Sequence, residues 1–201
     1  STAAPVATVR ATPTPTPTPS SLSTPSAKVK EPAPSAAALS GCPVAQPDSV
    51  GRSRIDELPP AARSAAYVSS IGASGHVHAD FGSGTWDGGP IGIPVTLAPG
   101  GTKSVKVTFG YADESDKGPY LIPANAAVEG GAQASGDRHV IALDPSTCTD
   151  YELYDAHPHG GSWTAGSGAV FALRSDALRP AGWTSADAAG LPILPGLARF
   201  D

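Results

Sequence analysis

The chain contains no methionine, only two cysteines, and charged residues at just 15% of its 201 positions. It also lacks any apolar run near the roughly 20 residues that a membrane-spanning helix requires, so no membrane span is predicted. With a net charge of −5 and no cluster of lysine or arginine, it offers no surface suited to nucleic-acid phosphates. The missing initial methionine indicates a chain that begins after a removed leader or inside a longer product.

Several catalytic signatures are also absent from the sequence. There is no Gly-x-Ser-x-Gly elbow, no His-Glu-x-x-His pair and no P-loop. Serine hydrolases with that elbow, zincins and nucleotide-binding proteins therefore have no support. The functions that stay open are those that need only dispersed carboxylates, histidines or aromatic rings.

Proline is abundant at the N-terminus, where residues 12–19 repeat a Thr-Pro dipeptide. The first 40 residues carry too little apolar surface to offset the entropy of ordering. They are predicted to form an extended spacer whose threonines are candidate O-glycan acceptors. The sequence thus predicts a disordered tether at residues 1–40 and a β-rich globular domain at residues 41–201.

The two cysteines, Cys42 and Cys148, lie at the start of this domain and near its middle. A Thr-Pro tether suggests export, and two cysteines in an oxidising compartment usually pair. We therefore predict a disulfide between them, in a secreted or cell-wall-tethered protein. The alternative is two separate buried thiols.

Strand-like patterns dominate residues 41–201. Residues 103–111 alternate apolar and polar side chains as an antiparallel strand does. A short helix is predicted within residues 52–73, opened by Pro59 and ended by Gly72, and it would need packing against a sheet to persist. The predicted fold is a mainly β, antiparallel sandwich or jelly-roll-like domain with one or two short helices.

Residues 136–156 predict a β-hairpin around a turn at Pro145-Ser-Thr. Successive strand side chains point to opposite sides, so pairing Leu143 with Asp150 sorts them into two faces. One face is apolar and is predicted to face the core. Its members are Val140, Ala142, Tyr151 and Leu153.

The opposite face gathers polar groups, with Ile141 opposite Glu152 and His139 opposite Tyr154. A register slip of one residue would scatter this set. Two interpretations stay open for it. The polar side chains point to solvent, as antiparallel sheets commonly allow, or they form a functional site.

A glycine-rich stretch precedes the hairpin. His76, His78 and Asp80 would share one side of a strand, and imidazole with carboxylate suits a divalent ion or proton transfer. Trp86 and Asp87 follow among glycines, where a ring can stack on a sugar and an acid can bind its hydroxyls. The alternative is a glycine-rich connection that carries a buried tryptophan.

Several longer motifs resemble a family of secreted proteins from actinobacteria and other soil bacteria that are usually described as hypothetical. The resemblance spans roughly residues 42–201 and implies a secreted protein, but it implies no activity. Family members continue past Asp201, so it also implies that this chain lacks a C-terminal part. The motifs are His78-Ala-Asp-Phe-Gly-Ser-Gly, Asp87-Gly-Gly-Pro-Ile-Gly-Ile-Pro, Tyr111-Ala-Asp-Glu-Ser-Asp, Gly136-Asp-Arg-His, Tyr151-Glu-Leu-Tyr-Asp and Arg179-Pro-Ala-Gly-Trp-Thr-Ser-Ala-Asp-Ala-Ala-Gly-Leu-Pro-Ile.

The leading functional hypothesis is a secreted carbohydrate-active protein, a polysaccharide hydrolase that uses paired carboxylates. Its partner would be a polysaccharide or cell-wall glycan, and the protein is expected to act as a monomer. The candidate catalytic residues are Glu152, Asp80, Asp155, His139 and His78. The candidate substrate-binding residues are Trp86, Asp87, Arg138, Tyr154 and Trp183.

Two alternatives compete with hydrolysis. The first is a non-catalytic glycan- or cell-wall-binding module that uses the same aromatic residues without an acid pair. The second is a metal-dependent hydrolase in which His78, Asp80 and His139 hold a divalent ion. Apart from that ion, no cofactor is predicted.

Overall fold

The computed structural model describes residues 38–46, 49, 52–72, 74–76, 84–86 and 88–199, and all structural statements concern these residues. Strands form most of the regular structure. In chain order the elements are strands β1 (Ala38–Leu39) and β2 (Cys42–Pro43), helix α1 (Ser64–Ile71), strands β3 (Thr85–Trp86), β4 (Gly89–Pro90), β5 (Val95–Leu97) and β6 (Lys106–Phe109), a 3-10 turn (Ala112–Glu114), strands β7 (Val140–Asp144), β8 (Thr149–Tyr154), β9 (His157–Pro158), β10 (Ser162–Ala165) and β11 (Ser167–Ala172), and a further 3-10 turn (Leu194–Gly196).

The central sheet has the strand order β11-β8-β7-β5. Strands β7 and β8 form the predicted hairpin, and Leu143 pairs with Asp150 as expected. The Asp144 carboxylate accepts hydrogen bonds from the Ser146 N–H at 2.8 Å and the Thr147 hydroxyl at 2.9 Å. These local contacts hold the turn and so set the register of both strands.

One face of the central sheet packs against a second sheet of order β6-β10-β9. This confirms the predicted apolar face and a mainly β, sandwich-like fold. Gly168 on β11 is required here, because a Cβ at that position would lie 2.6 Å from the Phe109 ring. The buried residues of this core are Tyr120, Ile122, Val140, Ala142, Tyr151, Leu153, Ala156, Trp163 and Ala165.

Two of the strand pairs are parallel, β5 with β7 and β6 with β10. The expectation of a purely antiparallel fold is therefore wrong for these pairs. Parallel neighbours need long crossovers, and the chain between β5 and β7 passes through β6 of the other sheet. Alternation within one strand carries no information on such a connection. The jelly-roll connectivity stays a prediction.

The second face of the central sheet is also buried. It packs against the β1–β2 hairpin and the C-terminal residues 179–197, which we call the strap. The predicted disulfide is present, since Cys42 and Cys148 are bonded with an S–S distance of 2.06 Å. It fastens the β1–β2 hairpin to the turn between β7 and β8. The buried residues are Cys42, Val44, Ile141, Leu143, Cys148, Leu173 and Leu194.

The helix lies where the sequence predicts it, at Ser64–Ile71, but its surroundings differ from the expectation. Gly72 ends it with φ of 102° and donates its N–H to Val68. No residue of the helix is buried, and Ile71 is 85% exposed. The expected packing of this helix on a sheet is therefore wrong.

Candidate functional site

The hairpin places His139, Glu152 and Tyr154 on one side of the sheet, as predicted. Glu152 pairs with Ile141, and the rings of His139 and Tyr154 lie 5.9 Å apart between centroids. This side is not open to solvent, however. Glu152 is 0% exposed and His139 is 9% exposed. Neither interpretation of an accessible polar face is correct, because the strap covers it.

Glu152 fastens the strap to the sheet. Its Oε1 accepts the backbone N–H groups of Ile193 at 2.8 Å and Leu194 at 2.9 Å. A carboxylate that accepts backbone N–H groups in a buried site forms strong, charge-assisted hydrogen bonds. Because Glu152 is fully buried, a polysaccharide cannot reach its carboxylate. Its predicted role as a catalytic acid therefore lacks the access that the reaction needs.

Strand alternation also places Asp150 on this face, although the sequence suggested no role for it. It is 0% exposed, and neither of its carboxyl oxygens meets a hydrogen-bond donor within the described part of the chain. Burial raises the pKa of Asp150 well above its ordinary value, and the charge of Glu152 and a hydrogen bond to it act in the same direction. Two carboxyl groups can hydrogen-bond only when one is protonated. These effects favour the protonated form of Asp150, the form that can donate to Glu152.

Burial also raises the pKa of Glu152, because a charged carboxylate is poorly solvated in this core. The hydrogen bond from Asp150, the amides of Ile193 and Leu194, and the charge of His139 all oppose that shift. These opposing contacts favour the ionised form of Glu152.

His139 is held by acceptors at both ring nitrogens. Nδ1 lies 2.7 Å from the Glu129 carboxylate, and Nε2 lies 3.2 Å from the carbonyl oxygen of Ala186 in the strap. Both ring nitrogens therefore already face oxygen acceptors of the protein. His139 is therefore a second anchor of the strap. This arrangement removes one ligand from the predicted metal site.

Arg138 has a structural role that its position in the Gly-Asp-Arg-His motif did not reveal. It is 5% exposed and adopts φ of 51°. Its guanidinium donates to the carbonyl oxygens of Ala156 at 3.1 Å, Ala134 at 2.8 Å and Ala132 at 3.2 Å. These three acceptors occupy the guanidinium inside the protein, so Arg138 organises a loop and is not placed to bind a substrate.

The other predicted residues do not converge on one pocket. Asp155 pairs with His157 at 2.8 Å on the surface. The ring of Trp183 has the Arg179 guanidinium over it at 5.4 Å, so one of its faces is covered. Tyr154 is half-buried against His139.

The remaining candidates come from the glycine-rich stretch. His78, Asp80 and Asp87 lie outside the described residues. Trp86 is described only as part of the short ladder of β3 with β4. The sugar-contacting and metal-binding predictions made for this stretch therefore stay predictions.

Sequence reasoning missed a surface groove of about 750 Å³. Ile122 and Trp163, both nearly buried, form part of its apolar lining. Its residues come from three separate segments, 97–105, 122–125 and 158–163, so no local motif could have indicated it. The lining is Leu97, Pro99, Thr102, Lys103, Val105, Ile122, Pro123, Ala124, Asn125, Pro158, Gly160, Gly161, Ser162 and Trp163.

The polar groups of this groove are hydroxyl, amide and ammonium groups, from Thr102, Lys103, Asn125 and Ser162. No aspartate, glutamate or histidine belongs to the lining. Such a surface can bind a ligand through apolar contacts and a few hydrogen bonds. It contains no carboxyl or imidazole group for acid–base chemistry.

Over the described ranges, no group of three or more His, Cys, Asp and Glu side chains is arranged to hold a metal ion. Within the same ranges, no helix has the length and apolarity needed to cross a membrane. No protein-family model, curated protein or solved structure matches the chain. The resemblance to secreted bacterial proteins therefore stays a prediction.

Proposed function

We propose that this chain is the non-catalytic binding module of an exported protein, and that it binds a polysaccharide or cell-wall glycan in the groove. The observation that carries the proposal is the chemistry of the lining. The exposed residues Leu97, Pro99 and Pro158 offer apolar surface to the C–H faces of a sugar. Asn125, Thr102 and Ser162 offer neutral groups that can hydrogen-bond its hydroxyls.

Two observations favour binding over hydrolysis. Glycoside cleavage normally needs two carboxylates that flank the scissile bond, and the groove lining contains none. Glu152, the first carboxylate of the hydrolase hypothesis, is sealed beneath the strap. A binding module needs neither group.

The disulfide supports the proposed export. Disulfides persist in oxidising compartments and are rare where cellular thiols stay reduced. Cys42 and Cys148 are bonded and fully buried, which fits a domain that works outside the cell. On this proposal the module acts as a monomer, and residues 1–40 serve as its tether.

The test is a binding panel of insoluble plant and microbial polysaccharides and peptidoglycan, followed by calorimetry with soluble fragments of the material that binds. Asn125→Ala should weaken binding about tenfold, the effect of losing roughly 1.4 kcal/mol of hydrogen bonding. Lys117→Ala is the control, since Lys117 is exposed and outside the groove lining. Retained affinity in Asn125→Ala and in Ser162→Ala would reject the groove as the site. Release of soluble sugars by the purified chain would instead show an enzyme.

A further inference from the structure

Asp150 and Glu152 are neighbours on the same face of β8, and both are 0% exposed. Glu152 accepts backbone N–H groups from the strap, whereas both Asp150 oxygens lack a donor in the described part of the chain. An ionised carboxyl without a partner is very unfavourable in an apolar interior. Burial without a partner therefore favours a neutral, protonated Asp150 beside Glu152.

We propose that this pair is a proton-operated latch for the strap. With one shared proton, the strap stays closed over the central sheet. Loss of that proton at higher pH releases residues 191–197. The latch is independent of the groove and of the function proposed for it.

The surroundings of the pair contain few charges that could replace the proton. The charged groups that act on the carboxyls are the two acids themselves and His139, which carries Glu129 on its other side. Next to the sheet, Arg174 donates to Cys148 Sγ at 3.1 Å, and the disulfide does not titrate. The residues paired with Asp150 and Glu152 on β7 and β11 are apolar: Ile141, Leu143, Ala169 and Phe171.

The strap is the cover that opens most easily. Strands β7 and β11 are hydrogen-bonded to β8 along their whole length. Residues 191–197 instead reach the pair through only the amides of Ile193 and Leu194. Segments held by few hydrogen bonds open before the sheet does. If Asp150 also ionised, opening of the strap would therefore hydrate the second negative charge while the sheet stays intact.

The sign of the pH dependence follows from Asp150. The pKa of Asp150 is raised in the folded protein, whereas in the open or unfolded chain Asp150 releases its proton at about pH 4. The closed state thus holds one more proton at intermediate pH. As pH rises toward the folded pKa, the opening equilibrium constant grows by up to about tenfold per pH unit. The contribution of Asp150 to closure of the strap is therefore largest below about pH 4.

The test is hydrogen exchange of the strap amides, expressed as protection factors, from about pH 5 to about pH 9, a range above the ordinary pKa of aspartate. Protection of residues 191–197 should fall with pH, while that of β7 stays constant. Asp150→Asn keeps an N–H donor toward Glu152 but cannot ionise, so its strap protection should not depend on pH. Asp113→Asn, on an exposed turn, should behave like the wild type.

Carbon-13 NMR titration of the Asp150 carboxyl in the wild type gives a reading that does not depend on any variant folding. A protonated Asp150 at neutral pH supports the latch, and an ionised one overturns it. Strap protection that is constant with pH, or that falls together with β7, also overturns it. If added Ca²⁺ restores the protection at high pH, the proposal is also overturned, because the pair would then hold a metal.

Discussion

The carboxylate of Glu152 accepts a hydrogen bond from the backbone N–H of Ile193, 41 residues further along the chain, at 2.8 Å. This contact joins the central sheet to the strap. It gives an apparent catalytic acid a structural role. Anchors of the same kind recur along the strap, where Ser167 donates to the Ser185 carbonyl oxygen and His139 lies against that of Ala186.

The first prediction concerns that anchor. Glu152→Gln keeps a carbonyl oxygen as an acceptor but removes the negative charge, so the hydrogen bonds from the N–H groups of Ile193 and Leu194 are no longer charge-assisted. We expect the free energy of unfolding to fall by about 1.5–3 kcal/mol, the range for hydrogen bonds to charged groups. Urea denaturation at neutral pH measures it. Asp113→Asn should change stability by less than about 0.5 kcal/mol, and equal stability of the two variants would contradict the anchor.

The second prediction concerns Arg179, which fastens the other end of the strap. Its guanidinium forms an ion pair with Asp116 and donates to the carbonyl oxygens of Glu114 and Thr184, both at 2.8 Å. Lysine cannot reproduce this planar set of donors, so Arg179→Lys should cost about 1–3 kcal/mol.

Thermal unfolding of Arg179→Lys checks this value. The matched control is Arg63→Lys, because Arg63 is exposed and lies over Tyr67 on the helix surface. A loss in the control as large as that in Arg179→Lys would show that the contacts of Arg179 carry no special weight.

The third prediction concerns Asp144, whose pKa shift is opposite to that of Asp150. Hydrogen bonds from Ser146 hold the pKa of Asp144 below its usual range, and the bond from the Ser146 hydroxyl contributes most. Its stabilising effect is therefore present above the unfolded pKa of about 4 and is lost as pH falls through the folded value. Asp144→Asn should flatten the acid side of the stability profile, followed by unfolding at a series of pH values. An unchanged acid side would show that this turn does not contribute.

The fourth prediction concerns the disulfide. Cys42 and Cys148 are 106 residues apart, and closing a loop of that size stabilises by up to about 4.7 kcal/mol in the chain-entropy model. The Cys42→Ser, Cys148→Ser double variant should lower the denaturant midpoint accordingly, and a reducing agent should lower that of the wild type alone. A wild type that is insensitive to reduction under denaturing conditions would contradict the bond.

Some features of this fold were predictable because neighbouring residues decide them. The pairing of Leu143 with Asp150 follows from strand alternation and a polar turn, and the structure confirms it. Gly72 ends the helix because it adopts a positive φ, which glycine tolerates without strain. The cysteine pair was predictable for a different reason, since two cysteines in a chain predicted to be exported have few alternatives.

The candidate site was not predictable to the same degree. Alternation placed His139 and Glu152 on one side of the hairpin, but it contains no information about what lies over that side. The groove likewise combines Lys103, Asn125 and Ser162 from separate segments. Contacts between distant segments depend on how the chain returns to the sheet, and local patterns do not record that path.

The sequence by itself determined the β-rich class, the hairpin with its two faces, and the cysteine pair. The tertiary structure decided that both faces are buried, that Glu152 holds the strap, and that burial raises the pKa of Asp150. The physical reason is that burial belongs to the assembled chain. The same carboxyl group is solvated on an open strand, whereas in the folded chain it is excluded from water and its pKa rises.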